Sequence, residues 1–193
     1  MQVAPVTLQG REIRLEPLTL DHAPALWRAA DPAIFTYIPH PVDDTLPAFK
    51  TYLTGLLRAP DYQPFAMVRQ ETGQPVGVTC YMDIRPAHRG LEIGSTWIAR
   101  PYQGTRVNPE SKYLLLRHAF EELGAVRVQL KTDGRNRHSQ AAIAKLGAQR
   151  EGVLRKHLIL QDGYIRDTVM FSILAEEWPA VKAGLEARLG YAP

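Results

Sequence analysis

Apolar and polar residues alternate in the early part of the chain, as they do in half-buried β-strands. Ile13 and Leu15 fall on one face of residues 11–18, so this segment is predicted to be the first strand. Two helices are expected next, because residues that favour helix N-caps precede segments of helical pattern. They are residues 21–30, capped by Asp21, and residues 45–57, capped by Asp44 or Thr45.

The middle of the chain predicts a meander of consecutive strands separated by turn residues, over 64–70, 75–84 and 91–99. A helical pattern follows, with Asn108 as its N-cap, Pro109 as its first residue and Gly124 at its end. Because this helix joins strand 91–99 to a strand over 126–130, those two strands are expected to be parallel. The remaining predicted elements are a helix over 139–146, strands over 152–160 and 164–174 around an Asp162-Gly163 turn, and a helix over 176–189.

These elements predict an α/β (α+β) fold with a single mixed, mostly antiparallel sheet of seven strands flanked by helices. The 193 residues, 45% of them apolar and 22% charged, match an ordinary soluble globular protein, and we expect one domain over residues 1–193. The first residues lack a secretory pattern and no apolar run approaches the ~20 residues of a membrane helix, so no membrane partner is expected. Cys80 is the single cysteine, which excludes an internal disulfide and favours a cytoplasmic location.

The net charge of +3 is too weak to indicate nucleic-acid binding by itself. A sequence pI of about 9.1 keeps a nucleic-acid binder as an alternative, but the arginines cluster at two loops and no aromatic residues are interleaved with them. The charge suits a polyanionic small ligand better than a polycationic one.

The first loop with candidate chemistry connects strand 91–99 to the helix at Pro109. A helix N-terminus presents unpaired N–H groups and favours anions, and Gly104 lets the backbone approach a phosphate closely. Arg100 and Arg106 add positive charge. The alternative is a capped helix after a surface loop. The Gly-Lys-Ser/Thr sequence of a nucleotide P-loop is absent.

The second loop runs from Thr132 to Ser139, again from a strand end into a helix. Asn136 can hydrogen-bond a ligand amide, Ser139 offers a hydroxyl, and Arg135 and Arg137 can meet phosphate. The alternative is that Asn136 caps the helix and Ser139 stabilises its first turn.

These loops and several shorter stretches together resemble the GNAT superfamily of acetyl-CoA-dependent N-acetyltransferases, and most closely its RimJ/RimL-like ribosomal-protein N-terminal acetyltransferases. The resemblance rests on residues 13–18, 91–94, 101–104, Asn136 with Ser139, 145–148 and Glu151-Gly152. It implies a central parallel strand pair that splays apart, with the pantetheine arm of the coenzyme between the strands. It implies acetyl-CoA as the cosubstrate and no metal.

The resemblance also implies which residues hold the coenzyme. They are Trp97 and Ile98 on the strand, Gln103, Gly104, Thr105, Arg106 and Asn108 in the first loop, and Asn136 in the second. The sequence departs from the family at the two glycine positions of the pyrophosphate loop, which Arg106 and Asn108 occupy. Asn tolerates a positive φ better than Arg does.

Glu92 is the candidate general base, because many members of the family carry a base at its position. Strand alternation is expected to place Glu92, Gly94 and Thr96 on one face and Trp97 on the other. The alternative for Glu92 is a half-exposed strand glutamate. Ser139 is the candidate acid for the leaving thiolate, since Ile143 stands where most members carry a tyrosine.

Direct transfer requires a neutral amine to attack the thioester carbonyl. An α-amine, with a pKa near 7.8, is roughly one third neutral at pH 7.5, whereas a lysine amine with a pKa near 10.4 is almost fully charged. We therefore expect a protein or peptide N-terminus as the acceptor. The alternatives are a small-molecule amine such as an antibiotic, and a catalytically silent acyl-CoA-binding protein. The protein is expected to be a monomer or a homodimer.

Other polar residues are expected to be structural. Asp167 is expected on the Ile165 and Val169 face, paired with an arginine. His157 is expected to be an exposed strand residue, with a role as base the less favoured alternative. The six histidines show no metal-ligand spacing.

Overall fold

The computed structural model describes residues 1–38, 44–160 and 162–191. Within these ranges one eight-stranded sheet has the order β1-β2-β3-β4-β5-β6-β8-β7. The strands are β1 (Leu8–Gln9), β2 (Ile13–Pro17), β3 (Gln63–Arg69), β4 (Pro75–Arg85), β5 (Gly90–Ile98), β6 (Arg127–Asp133), β7 (Gln149–Ile159) and β8 (Ile165–Leu174). Neighbours are antiparallel except β5 and β6, which are parallel as predicted.

Helices cover both faces of this sheet. They are α1 (Ala23–Ala29), α2 (Leu46–Arg58), α3 (Val107–Arg117), α4 (Arg137–Ala144) and α5 (Trp178–Leu189). One buried apolar cluster lies between the sheet and α3 and α5, and a second lies between the sheet and α1 and α2. No helix of the described ranges is both long and apolar enough to cross a membrane.

The prediction of seven strands was wrong, because β1 has only two residues and shows no periodic pattern. This strand is docked by Glu110 of α3, a fully buried carboxylate. Its two oxygens accept hydrogen bonds from the backbone N–H groups of Arg11, Glu12 and Ile13 at 2.7–3.2 Å. A carboxylate is thus spent on the turn between β1 and β2, where three neighbouring amides need an acceptor.

Two of the predicted helix caps were wrong and one was confirmed. The first helical region starts with a 3-10 turn at Leu20, preceded by Thr19, so Asp21 lies inside it. Helix α3 starts at Val107, whose N–H bonds the hydroxyl of Thr105, so Asn108 lies in the first turn. Thr45 does cap α2, since its hydroxyl accepts from the Ala48 amide.

Candidate active site

The parallel pair opens into a gap near the middle of the sheet. Strands β5 and β6 pair only over Gly90–Glu92 and Arg127–Gln129, although β5 continues to Ile98 and β6 to Asp133. Beyond Glu92 the two strands therefore diverge, as the expected splayed pair requires. Both loops identified in the sequence leave the carboxyl ends of these two strands.

Glu92 lies at the point of divergence and is only 1% exposed, so the alternative of a half-exposed glutamate was wrong. Its Oε2 atom lies 3.0 Å from Nζ of Lys131 and accepts a 3.0 Å hydrogen bond from Nε2 of Gln129. Gln129 also donates to the carboxylate of Asp83, at 3.0 Å. The carboxylate of Glu92 is thus buried, ion-paired and held in one orientation.

The other oxygen of Glu92 lies over Gly94. A Cβ atom at position 94 would meet Oε1 of Glu92 at 2.9 Å and Sδ of Met82 at 2.5 Å. Gly94 is therefore required by the close approach of these two side chains. Oε1 points along β5 toward the gap, whereas Oε2 is engaged by β6.

A bulge in β5 changes which side chains share a face. Val78 of β4 pairs with Trp97 and Cys80 pairs with Gly94, so Thr79 alone lies opposite both Ser95 and Thr96. Ser95 takes a φ of 47°. The extra residue interrupts the alternation that the sequence was expected to follow.

The predicted faces were consequently wrong beyond Gly94. The Thr96 hydroxyl contacts that of Thr79 at 2.8 Å, on the α3 side of the sheet. Trp97 instead packs with the cluster between the sheet and helices α1 and α2, on the side that carries Cys80. Trp97 thus lies on the same face as Glu92 and Gly94.

The end of β5 presents one backbone N–H to the gap. The Ala99 amide bonds the Val76 carbonyl on β4 at 2.8 Å. Because backbone groups of successive strand residues point to opposite sides, the N–H and C=O of Ile98 face away from β4, and those of Trp97 face toward it. Nε2 of Gln103 donates to the Ile98 carbonyl at 2.9 Å, which leaves the Ile98 amide facing the gap.

The first loop forms an open surface above this end of the gap. Gln103, Gly104, Thr105 and Arg106 are exposed, and Gly104 has a φ of 75° with nothing within 4 Å of an added Cβ. This open backbone fits the approach of a bulky phosphate group. Asn108 follows in the first turn of α3, and its buried Oδ1 has no hydrogen-bond partner among the described residues.

Asn136 and Ser139 lie at the start of α4, on the β6 side of the gap. Oδ1 of Asn136 accepts the Ser139 amide at 3.0 Å, so the capping role is present. This bond engages the carbonyl oxygen of the side chain and the backbone of Ser139, not the Asn136 amide nitrogen or the serine hydroxyl. The position of a coenzyme ligand and that of a cap are thus compatible.

The four arginines of the two loops differ in their contacts. Arg100 forms an ion pair with Asp31 at 2.8 Å, and Arg135 binds the buried Asp133 through its backbone and its guanidinium. Their charges are therefore partly neutralised. Arg106 and Arg137 are exposed and are the arginines best placed to meet a phosphate.

Sequence reasoning missed the partners of Glu92. Gln129 and Lys131 lie on β6, which was predicted only as a strand, and Asp83 lies at a bulge of β4 with a φ of 46°. The alternation Arg127, Gln129, Lys131 was the available signal, because it places polar side chains on one face of a buried strand.

Two structural assignments were partly corrected. Asp167 accepts the backbone N–H of Lys156 at 2.7 Å, at a bulge of β7, instead of binding an arginine. Ile165 of the same strand is exposed. His157 is exposed as expected and contacts the hydroxyl of Thr168 at 3.1 Å. Within the described ranges no group of three or more His, Cys, Asp or Glu could hold a metal ion.

Together, the gap, the buried carboxylate and the two loops define an acyltransferase that binds a coenzyme between parallel strands. The model of the Acetyltransferase (GNAT) domain matches residues 12–149. A protein from T. thermophilus whose title calls it an acetyltransferase is 47% identical, with a TM-score of 0.92, over 98% of this chain and 100% of that one. The chain therefore belongs to the GNAT family of acetyl-CoA-dependent N-acetyltransferases.

Two further relatives support the RimJ/RimL-like grouping. YdaF of Bacillus subtilis (strain 168), whose name assigns it to the ribosomal N-acetyltransferases, is 31% identical over 110 residues. That match spans 57% of this chain and 59% of YdaF. RimJ of Mycobacterium smegmatis, in complex with CoA-disulfide, shares the fold with a TM-score of 0.80 at 23% identity, over 96% of this chain and 95% of RimJ.

Proposed function

We propose that this protein transfers the acetyl group of acetyl-CoA directly to the N-terminal α-amine of a protein or peptide. The observation that carries the proposal is the buried carboxylate of Glu92 at the point where β5 and β6 diverge. It places a fixed proton acceptor beside the only part of the sheet that is open between two strands among the described residues.

The proposed coenzyme site follows the gap. The pyrophosphate lies over the exposed loop of Gln103 to Arg106, and the pantetheine arm runs between the strands toward Glu92. Asn136 meets the arm from the other side through its amide nitrogen. Asn108 offers its unpartnered Oδ1 to the same ligand. The fit rests on the open backbone at Gly104 and on the short pairing of β5 with β6.

The proposed chemistry begins with the acceptor amine. Glu92 takes the proton of the amine through a water molecule, using the oxygen that lies over Gly94. The amine attacks the acetyl carbonyl, whose developing negative charge is stabilised by the backbone N–H of Ile98. The tetrahedral intermediate then expels the coenzyme thiolate, and Ser139 supplies the proton that this thiolate takes up.

The charges around Glu92 favour an α-amine over a polycation. Lys131, Arg135 and the buried Arg166 lie on the face of the sheet where the acceptor is proposed to bind, beside the carboxylates of Glu92 and Asp133. A polyamine or an aminoglycoside would bring several positive charges to a cleft that is already mixed in charge. A single amine close to neutrality has no such penalty.

A mass-shift screen of purified protein with acetyl-CoA tests this function. The panel contains peptides with free N-termini, the same peptides with blocked N-termini and an internal lysine, amino acids, and aminoglycosides. We expect one added acetyl group on the free N-termini alone. Acetylation of a small amine would establish the alternative acceptor, and coenzyme binding without turnover on any amine would establish a silent binding protein.

The cytoplasm, a single domain over residues 1–193, and a monomeric or homodimeric state belong to the same proposal. Size-exclusion chromatography with light scattering decides the oligomeric state.

A further inference from the structure

A buried lysine lies under the bulge of β5. Lys112 of α3 is 6% exposed, and its Nζ donates to Oγ1 of Thr96 at 2.7 Å and reaches Oγ1 of Thr79 at 3.5 Å. The two hydroxyls contact each other at 2.8 Å. In the described ranges no carboxylate forms an ion pair with this lysine, so hydroxyl groups are its polar neighbours.

These two threonines are the residues on either side of the bulge. Thr79 is the single β4 residue opposite Ser95 and Thr96, and Thr96 is the second of the two bulged residues. Lys112 therefore bonds both strands at the one place where their register shifts. A lysine that only filled space in the apolar layer between α3 and the sheet would not need this contact.

The bulge determines two features of the proposed site. It brings Trp97 onto the face of Glu92 and Gly94, and it directs the Ile98 amide into the gap instead of toward β4. Removing one residue from the alternation would reverse both, because side chains and backbone groups alternate with a period of two. The geometry of β5 beyond Gly94 thus depends on the bulge.

Burial of this amine is unfavourable for stability. The side chain lies beside Cys80, a buried thiol whose own pKa is raised to about 12 by burial, and it has no opposite charge. Burial lowers the pKa of Lys112 to about 7. A methionine of similar length would fill the same space without an amine, so the lysine is not explained by packing.

We propose that Lys112 is a positioning residue that holds the bulge of β5 through Thr96 and Thr79, and so keeps the Ile98 amide aimed at the acyl group. The proposal rests on the proposed acetyl transfer. It assigns no contact between Lys112 and the substrates.

The test compares Lys112→Met, Thr96→Val and the double variant with the wild type, and uses Lys50→Met on the exposed face of α2 as the control. We expect both single variants to lower kcat at least tenfold, with the KM for acetyl-CoA changed less than threefold. The double variant should be no slower than the slower single variant, because both residues act in one contact. Full activity in Lys112→Met, or multiplied losses in the double variant, would overturn the proposal.

Amide hydrogen exchange provides a readout that does not depend on turnover. Lys112→Met and Thr96→Val should each exchange the amides of residues 95–98 at least tenfold faster than the wild type, with those of α5 unchanged. Unchanged exchange at 95–98 in both variants would overturn the proposal even if activity fell. If the wild type acetylates no amine, the proposed function fails, and exchange still decides whether Lys112 holds the bulge.

Discussion

Lys131 on β6 holds the buried carboxylate of Glu92 on β5, with 3.0 Å between Nζ and Oε2. The two partners differ in exposure, since the Glu92 side chain is 1% exposed and that of Lys131 is 26% exposed. Loss of the lysine would leave a buried charge unpaired, whereas loss of the carboxylate would leave a lysine that can reach water.

Lys131→Met should therefore cost more stability than Glu92→Gln. We expect the lysine variant to lose about 3 kcal/mol of unfolding free energy and the glutamate variant about 1 kcal/mol. Urea unfolding at pH 7 measures both, with Lys50→Met as the exposed control. Equal losses in the two variants would show that the pair is not buried as described.

Gly94→Ala tests the position of the Glu92 carboxylate. The added Cβ would meet Oε1 of Glu92 and Sδ of Met82, and displacement of the carboxylate should lower kcat roughly 10- to 100-fold. Gly184→Ala is the matched control, because a Cβ there meets nothing within 4 Å in the exposed part of α5. Steady-state kinetics with a peptide acceptor measures the effect. A fully active Gly94→Ala would contradict the role given to Glu92.

Glu110→Gln tests how the N-terminal turn is docked. The carboxylate accepts three backbone N–H groups and the Tyr191 hydroxyl, and a glutamine would replace one acceptor oxygen by an N–H donor. We expect a loss of about 3 kcal/mol in unfolding free energy. Thermal unfolding measures it against Glu176→Gln, an exposed glutamate. A loss no larger than that of the control would be inconsistent with this docking.

Lys112 predicts a specific pH dependence of stability. Its pKa in the folded protein is lowered to about 7 by burial, whereas an unfolded lysine titrates near 10.4. The unfolded chain thus binds more protons between these values, and wild-type stability rises with pH across that range. Lys112→Met lacks this change, so its advantage over the wild type should be greatest below pH 7, on the order of a few kcal/mol, and should shrink toward pH 10. Urea midpoints at pH 6.5 and 9.5 measure it, and a constant difference would contradict burial of the amine.

The sequence predicted most elements of the fold, because strands β2 to β8 and all five helices carry clear periodicity or turn residues. It failed at β1, which is too short for a pattern and is held by Glu110 from a distant helix. It also misplaced the caps Asp21 and Asn108, since helix starts depend on neighbouring hydroxyls and tertiary contacts as well as on the residue type.

The candidate site was predictable at single residues and not in its geometry. Glu92 and Asn136 followed from a family resemblance. The bulge at Ser95 has no local signal, because it arises from pairing with β4. Lys131 contacts Glu92 only after the parallel crossover has placed β6 beside β5, and such long-range pairing is not encoded in a short window of sequence.

The coenzyme site is the central claim, and a crystal structure with bound coenzyme A tests it most directly. The account predicts the pyrophosphate within hydrogen-bond distance of backbone amides between Gln103 and Arg106, and the pantetheine arm between β5 and β6 with its thiol end near the Ile98 amide and Glu92. Coenzyme bound elsewhere, or no binding at millimolar concentration, would contradict the account.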